Sequence, residues 1–168
     1  MIVCHSISDD PIHKGNSNYN TRQEILDSEG PISFDGVYAN VWENRDILEG
    51  RGGILFVVGK YVGGDNTFDT GQPYEKFCTW SMIEDLVKMG FELGWHTHSH
   101  PDLTSIPMFD AQVEIEFPYT DRIIKHFAYP YGKHCSYLEQ MVRQVGYEFG
   151  WSVNRGDDTQ YQKKRWHI

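Results

Sequence analysis

The sequence contains few cysteines and few basic residues. Its three cysteines, Cys4, Cys78 and Cys135, are odd in number and far apart, which excludes a disulfide framework and a zinc ribbon. It has 15 lysines and arginines against 24 aspartates and glutamates, and its formal net charge is −9. A nucleic-acid-binding protein presents a basic face, and the basic cluster at residues 163–165 is too short to form one. We therefore expect no nucleic-acid partner.

Long apolar runs are also missing. The longest, residues 54–58, is far shorter than the roughly 20 residues that a transmembrane helix needs, so we expect no membrane span. Residues 1–4 lead directly into His5 and polar residues, without the basic start and apolar core of a secretory signal. Together with the scarce cysteines, this predicts a cytoplasmic protein. Repeats are absent as well, and the 168 residues predict a single domain over residues 1–168.

Aromatic residues, in contrast, are abundant, at 14% of the chain with ten Tyr and five Trp. Most aromatic side chains pack into protein cores, and this is the simpler interpretation. The alternative is a groove in which flat rings stack on sugar rings. Composition alone leaves both interpretations open.

Short apolar segments alternate with amphipathic ones along the chain. We predict strands at residues 1–4, 31–34, 53–58, 91–95, 126–129 and 147–153. The polar segments 9–24 and 63–72 are predicted loops, because turn-forming residues are frequent in them. Strands that alternate with helices predict an α/β fold with a largely parallel sheet.

Capping residues mark the predicted helices. One helix is predicted at residues 40–49, with Asn40 as its cap. Two more begin at the capping boxes formed by Ser81 with Glu84 and by Ser136 with Glu139. Their apolar faces are predicted to include Val87 and Val145, and a glycine follows each helix.

Polar or conformationally special residues follow several of the predicted strands. These residues are His5, Asp35, His96, the turn 130–132 and Asn154. In parallel α/β folds the functional residues lie at the carboxyl ends of the strands. We therefore expect these residues to meet at one rim, with segments 9–21 and 63–72 shaping the substrate groove.

Three histidines, His96, His98 and His100, occur within five residues. Residues four apart lie on the same side of a helical turn, and neutral imidazole is a common ligand of zinc. His96 and His100 are therefore candidate metal ligands, and the alternative is a hydrogen-bonded pair at a strand end. His98 is predicted to point elsewhere, in a structural or supporting role.

Asp35 is the candidate for a further ligand. A catalytic metal site needs a third protein ligand and one open position, and Asp35 follows a different predicted strand. The simpler interpretation of Asp35-Gly36 is a turn. Backbone N–H groups of the turn 130–132 are candidate donors to an oxyanion, although Pro and Gly are also expected in an ordinary turn.

These segments resemble the motifs of NodB-type polysaccharide deacetylases, which form carbohydrate esterase family 4. His96-Thr97-x-x-His100, followed by Pro101-Asp102-Leu103, is similar to the family's second motif. Further similar segments, in the family's order, are Cys4-His5-Ser6-Ile7, Phe56-Val57-Val58-Gly59, Phe127-Ala128-Tyr129-Pro130-Tyr131-Gly132 and Val153-Asn154-Arg155-Gly156. The similarity extends over nearly the whole chain.

The resemblance implies a distorted (β/α) barrel and a hydrolase that removes acetyl groups from sugars. It also implies a divalent metal ion, which we expect to be zinc, held by one Asp and two His, here His96 and His100. The Tyr131 backbone N–H would stabilise the oxyanion. The expected substrate is an acetylated sugar or an intracellular precursor of a surface polysaccharide. The alternative is a pseudoenzyme of the same fold that binds carbohydrate without turnover.

The chain departs from the family in two motifs. The first motif is typically Phe-Asp-Asp-Gly, and here it reads Phe34-Asp35-Gly36, with one carboxylate fewer. If the two motifs are aligned from Phe34, Asp35 takes the position of the base. If they are aligned from Gly36 or Asn40 backwards, Asp35 takes the position of the metal ligand. We favour the ligand role, because two histidines alone hold an ion poorly. In the third motif, Ala128 replaces the usual Arg that orients the base.

The family's catalytic acid is a histidine near a late strand. His167 is the candidate at that end of the chain, but it lies next to the terminus, where chains fray. His5 is the better candidate, because it could carry the proton or replace a missing ligand. The simpler interpretation of His5 is a buried, hydrogen-bonded histidine.

Overall fold

The computed structural model describes residues 1–13, 15–69, 71–118, 121–153 and 159–167. Its strands are β1 (Ile2–Cys4), β2 (Ser6–Ile7), β3 (Tyr19–Asn20), β4 (Ile32–Gly36), β5 (Gly53–Val57), β6 (Phe91–Trp95), β7 (His126–Ala128), β8 (Phe149–Val153) and β9 (Lys163–His167). Its α-helices are α1 (Arg22–Asp27), α2 (Ala39–Glu43), α3 (Trp80–Lys88), α4 (Met108–Ile115) and α5 (Ser136–Val145). Short 3-10 helices lie at Pro11–His13, Arg45–Leu48, Gly59–Tyr61 and Pro130–Gly132.

Seven of these strands form a closed barrel in the order β1-β4-β5-β6-β7-β8-β9. Every neighbouring pair is parallel, and β9 closes the barrel by pairing with β1. Strands β2 and β3 pair separately. The predicted fold, a distorted barrel of largely parallel strands, is confirmed. Because all seven strands run the same way, their carboxyl ends open at one mouth of the barrel.

Alternating side chains divide the barrel into an inside and an outside. On β4, Ile32 and Phe34 belong to the main core, which the helices cover. The interior holds a smaller cluster made of Ile54, Phe56 and Ala128. Gly94 leaves room for the Phe56 ring, because a Cβ at position 94 would lie 2.5 Å from that side chain. The period of two along a strand thus places every second residue of β4, including Asp35, toward the interior.

The predicted elements differ from the observed ones mainly at their ends. The strand predicted at 31–34 extends through Asp35 to Gly36, and the one predicted at 147–153 begins at Phe149. The helix predicted at 40–49 is divided into α2 and a 3-10 turn. Strand β9 and helix α4 were not predicted, and segment 9–24 contains α1 rather than loop alone.

Three predicted helix caps are wrong. Thr79, not Ser81, caps α3 by accepting a hydrogen bond from the Met82 N–H. Helix α5 is preceded by Cys135 without a side-chain cap. Asn40 lies inside α2, where its amide donates to Ser6 Oγ and accepts from the Ile7 N–H. In each case the observed N-cap residue, Tyr38, Thr79 or Cys135, lies one or two residues before the predicted one, so the residue that fits a cap falls within the first turn of the helix.

Two apolar residues predicted on buried helix faces are partly exposed. Val87 of α3 is 39% exposed and Val145 of α5 is 36% exposed. Both lie at or next to the last residue of their helix. None of the helices in the described ranges has the length and apolarity needed to cross a bilayer.

Candidate functional site

A pocket of about 510 Å³ opens at the mouth formed by the carboxyl ends of the strands. Its walls include residues that follow or end four of the barrel strands: His5, Asp35, His96 and His167. Tyr131 and Gly132 of the predicted turn also line it. The convergence predicted for His5, Asp35, His96 and the turn 130–132 is therefore observed. Asn154 lies outside the described residues.

Asp35 is buried and held by Arg165. The guanidinium of Arg165 donates from Nη1 to Asp35 Oδ1 at 2.5 Å and from Nη2 to Oδ2 at 2.9 Å. Asp35 is 4% exposed and Arg165 is fully buried. Arg165 also donates to Ser33 Oγ at 3.1 Å and packs its guanidinium over the Phe56 ring at 4.6 Å. The pair is a bidentate ion pair with both partners removed from water.

This environment keeps Asp35 ionised. Burial raises the pKa of the carboxyl, but the attraction of the Arg165 guanidinium and the neighbouring His96 outweighs it. The pKa of Asp35 consequently lies well below its usual range. A carboxylate that is buried and charged needs such a partner, since an unpaired one would carry a large desolvation cost.

His96 and His100 point their ring nitrogens at each other. His96 follows β6 directly, and its Nδ1–H donates to the Ala128 carbonyl at 2.8 Å. This bond leaves Nε2 of a neutral His96 without a proton. His100 Nε2 lies 3.1 Å from that nitrogen, and Asp35 Oδ2 lies 3.8 Å from it. The two histidines four residues apart are thus brought together with the carboxylate of β4.

The protonation equilibria of the imidazoles favour their neutral forms. Burial lowers the pKa of His96. Burial and the neighbouring His96 lower the pKa of His100 to about 3. Burial lowers the pKa of His5 to about 4, against the opposing attraction of Asp35. Neutral imidazole is the form that binds metals and accepts protons.

The donor set partly fits a metal ion. Two nitrogen ligands of a tetrahedral zinc lie roughly 3.3 Å apart when each Zn–N bond is about 2.0 Å, and the two Nε2 atoms are separated by 3.1 Å. The hydrogen bond from His96 Nδ1 to a carbonyl is typical of metal-binding histidines. However, within the described part of the chain no three His, Cys, Asp or Glu side chains form a group that could hold a metal. The histidine pair fits. Both oxygens of Asp35 accept hydrogen bonds from Arg165, but Oδ2 lies 3.8 Å from His96 Nε2 and each carboxylate oxygen has a further lone pair for an ion.

His5 and His167 form the opposite side of the site. His5 Nδ1–H donates to the Asp35 backbone carbonyl at 3.3 Å, so Nε2 is the unprotonated nitrogen of a neutral ring. Its ring stacks on His167, with the centroids 5.8 Å apart. His167 is the last residue of β9 and is exposed. His98, in contrast, has an exposed side chain and does not line the pocket.

Strained backbone surrounds the pocket. Four described non-glycine residues have positive φ: Val37, Thr97, His100 and Tyr131. Val37 lies two residues after Asp35, and Thr97 follows His96. His100 is the second histidine of the pair, and Tyr131 lies in the turn 130–132. Tyr131 has φ 59° and ψ 12°, a left-handed conformation that costs about 1–3 kcal/mol and is frequent at active sites. The backbone at this mouth is therefore held in place by the surrounding fold.

Arg165 is the residue that sequence reasoning missed. The sequence places it in the short basic cluster at residues 163–165, yet it is buried and hydrogen-bonded to Asp35. One signal could have identified it: Lys163, Arg165 and His167 alternate along the chain, and alternation in a strand places them on one face. The buried carboxylate of Asp35 needs a cationic partner, and Arg165 of β9 supplies it.

Comparison with known families gives one clear match. The family model described as polysaccharide deacetylase matches residues 32–150. No curated protein sequence matches the chain significantly.

Solved structures match nearly the full length of the chain at low sequence identity. The Streptococcus pyogenes deacetylase PplD, solved in complex with acetate, is 14% identical with a TM-score of 0.80, covering 99% of this chain and 90% of PplD. The Bacillus cereus polysaccharide deacetylase BC0361 is 16% identical with a TM-score of 0.73, covering 99% of this chain and 63% of that protein. IcaB from Ammonifex degensii is 16% identical with a TM-score of 0.67, with coverages of 99% and 91%. At these identities the matches establish the barrel fold.

Proposed function

The chain belongs to the polysaccharide deacetylase family, and from that premise we propose that it is a metal-dependent hydrolase that removes an acetyl group from a sugar or polysaccharide precursor. The observation that carries the proposal is the pair of His96 and His100, with Nε2 atoms 3.1 Å apart at the base of a pocket beside a buried carboxylate. This combination of neutral imidazoles and one carboxylate suits a cation that activates water.

We assign the metal to the histidine pair. His96 and His100 would hold the ion, which we propose to be zinc because two imidazoles and a carboxylate are typical zinc ligands. Asp35 is the candidate third ligand, since its Oδ2 lies 3.8 Å from His96 Nε2. Arg165 would hold the carboxylate in place. When bound, the ion supplies a Lewis acid that activates water and polarises a carbonyl.

The remaining site residues would manage protons and negative charge. His5, neutral because burial lowers its pKa to about 4, would accept the proton of the attacking water through Nε2 and return it to the leaving nitrogen or oxygen of the sugar. The Tyr131 backbone N–H would donate to the oxygen on which charge develops. The left-handed conformation of Tyr131 fixes the direction of that N–H before substrate arrives.

The backbone conformation of Gly36 supports the ligand role of Asp35. Gly36 has φ 95°, a conformation that glycine adopts readily and other residues do not. Position 36 is therefore a glycine position by geometry. This agrees with counting the first motif back from its glycine, which makes Asp35 the ligand rather than the base.

The direct test is acetate release. Purified protein loaded with zinc is incubated with a panel of N-acetylated and O-acetylated sugars and oligosaccharides, and acetate is quantified. We expect release that EDTA abolishes and added zinc restores. Absence of release from every substrate by zinc-loaded protein would overturn the hydrolase proposal. The acetate bound to the Streptococcus pyogenes deacetylase supports acetate as the product to measure.

A second candidate is a carbohydrate-binding pseudoenzyme. The observation in its favour is that both oxygens of Asp35, the sole carboxylate of the reduced first motif, accept hydrogen bonds from Arg165. A pseudoenzyme would bind glycans equally well with and without EDTA and would release no acetate. The acetate assay and a binding measurement in chelator therefore separate the two functions.

A further inference from the structure

The two histidines of the pair are held in different ways. His96 follows β6 directly, and its Nδ1–H donates to the Ala128 carbonyl at 2.8 Å. A bond of this kind fixes the ring orientation of most metal-binding histidines. Within the described ranges, the His100 ring makes its only hydrogen-bond contact with another residue at His96 Nε2. The position of the His100 ring therefore depends on the backbone that carries it.

The backbone of residues 96–100 is irregular and partly left-handed. Thr97 has φ 71° and His100 has φ 63°, a conformation that residues with a Cβ adopt rarely. Thr97 Oγ1 accepts a hydrogen bond from the His100 N–H at 2.9 Å, which links the two strained residues. A segment free to relax would return His100 to negative φ and turn its ring away from His96. Contacts from outside the segment are therefore needed to keep the histidine pair together.

Glu114 of α4 supplies several of those contacts. Its carboxylate accepts hydrogen bonds from the Ser99 N–H at 2.7 Å and from the Ser99 hydroxyl at 2.6 Å, and Ser99 immediately precedes His100. Its backbone carbonyl accepts from the His98 N–H at 3.1 Å and from the Trp95 indole N–H at 3.1 Å. Hydrogen bonds to a carboxylate are roughly twice as strong as those between neutral groups. A single residue thus binds the histidine segment at three positions.

Glu114 is itself held by the core. Its neighbours on α4, Ala111 and Ile115, are buried, so the helix is anchored on the face that carries them. Trp95 is also fully buried, and Gly59 makes room for its ring, because a Cβ at position 59 would overlap the indole. Glu114 is not among the described residues that line the pocket. Its carboxylate is therefore presented to Ser99 from behind the site, by a rigid element.

We propose that Glu114 is a positioning residue, which fixes His100 for metal binding by holding Ser99. The inference rests on the proposed function, because it takes the histidine pair as the metal site. Glu114 contacts neither the ion nor the substrate, since its carboxylate oxygens are used on Ser99. A zinc–nitrogen bond tolerates a deviation of only about 0.2 Å. A small displacement of His100 is therefore enough to weaken zinc binding.

The experiment measures zinc affinity, by competition with a zinc-chelating dye, for the full chain stripped of metal. The variants are Glu114→Ala, Glu114→Gln, Ser99→Ala and the double variant of Ser99→Ala with Glu114→Ala. Glu116→Ala is the matched control, because Glu116 is an exposed residue directly after α4, and its side chain accepts a hydrogen bond from the exposed Gln112. The melting temperature of each metal-free variant shows whether it is folded.

Glu114→Ala should weaken zinc binding about tenfold, at the lower end of the usual effect of a residue that orients a metal ligand. Glu114→Gln should stay within about threefold of the wild type, because its amide oxygen can accept from the Ser99 N–H and its amide nitrogen can donate to Ser99 Oγ. Ser99→Ala should be intermediate, since the N–H remains. Glu116→Ala should match the wild type.

The double variant tests whether Glu114 acts through Ser99. Without the carboxylate, Ser99 Oγ has no partner left to lose on α4. The double variant should therefore bind zinc no more weakly than Glu114→Ala alone. If Glu114 only stabilised the fold, zinc affinity would follow the melting temperatures of the metal-free variants instead.

Three results would overturn the proposal: wild-type zinc affinity in Glu114→Ala, equal losses in Glu114→Ala and Glu114→Gln, or additive losses in the double variant. Equal losses would assign the effect to charge alone. If Glu114→Ala does not fold, Ser99→Ala carries the test, and wild-type zinc affinity in that variant overturns the proposal.

The acetate assay keeps this test distinct from that of the hydrolase. Acetate release together with unchanged zinc affinity in Glu114→Ala refutes the positioning role alone. Weakened zinc binding in Glu114→Ala, without acetate release by the wild type, refutes the hydrolase and leaves the positioning role standing. A wild type that binds no zinc overturns both.

Discussion

Arg165 and Asp35, which are 130 residues apart in the sequence, form a buried bidentate ion pair inside the mouth of the barrel. Strand β1 lies between their strands and pairs with both β4 and β9. The pair therefore links the last strand to the first half of the barrel. It also places a cation against the carboxylate whose Oδ2 lies 3.8 Å from His96 Nε2.

The pair predicts a large stability effect when one partner is removed. Arg165→Met should lower the free energy of unfolding by about 3–5 kcal/mol, because Asp35 would stay buried without a counter-charge. Arg165→Lys should recover only part of this loss, since an ammonium cannot make the bidentate contact. Urea denaturation provides the measurement.

The double variant Arg165→Met with Asp35→Asn is the control for this stability prediction. It leaves no unpaired charge and should be more stable than Arg165→Met alone. If Arg165→Met were as stable as the wild type, the ion pair would not contribute to the folded state.

The fold was predictable because its signals are local. The continuous apolar run at β5 and the apolar segments of β4 and β6 are buried as the pattern indicates. Strand β9 was missed because its inward side chains are Lys163, Arg165 and His167, whose charge suggests a surface segment. Its role in closing the barrel depends on pairing with β1, at the far end of the chain.

The candidate site was predictable in part for the same reason. His96 and His100 were identified because they are close in sequence, and their Nε2 atoms do meet. The contact is not made by a helical turn, because residues 96–100 form an irregular segment with positive φ at Thr97 and His100. Asp35 and His5 were identified as residues at strand ends, which the parallel topology brings together. The contact of Asp35 with Arg165 is set by the register of β4, β1 and β9. No local pattern encodes it.

Gly36 allows a test of how the first motif is aligned. Gly36→Asp would restore a second carboxylate, but the backbone there has φ 95° and a Cβ would lie 3.2 Å from Phe77. We expect the variant to lose about 1–3 kcal/mol of unfolding free energy and to gain no zinc affinity. Gly36→Ala is the matched control for the backbone strain. A Gly36→Asp variant that is as stable as the wild type and binds zinc more tightly would show that position 36 is the vacant ligand position.

The assignment of the metal to the histidine pair predicts a contrast between two neighbouring histidines. His100→Ala should weaken zinc binding by more than about 100-fold, because changes around a ligand already cost about 10–100-fold. His98→Ala should keep the zinc affinity of the wild type, since its side chain is exposed and does not line the pocket. Competition with a zinc-chelating dye measures both affinities. Equal zinc affinity in the two variants would exclude His100 as a ligand.

His5 is predicted to transfer protons without holding the metal. Its Nδ1–H donates to the Asp35 backbone carbonyl, which leaves Nε2 free to accept a proton. His5→Ala should therefore reduce kcat for acetate release by about 100-fold or more, the usual contribution of a general acid-base group. Its zinc content, measured by mass spectrometry, should remain that of the wild type.

The same variant distinguishes the other role that the sequence allows for His5. Loss of zinc together with activity would make His5 the third ligand and return Asp35 to the role of base. An unchanged kcat would instead mean that another group transfers the proton. The neighbouring imidazole is His167, whose ring stacks on that of His5 with the centroids 5.8 Å apart. His167→Ala, measured in parallel, decides between the two rings: we expect it to keep most of the wild-type kcat because its side chain is exposed at the rim.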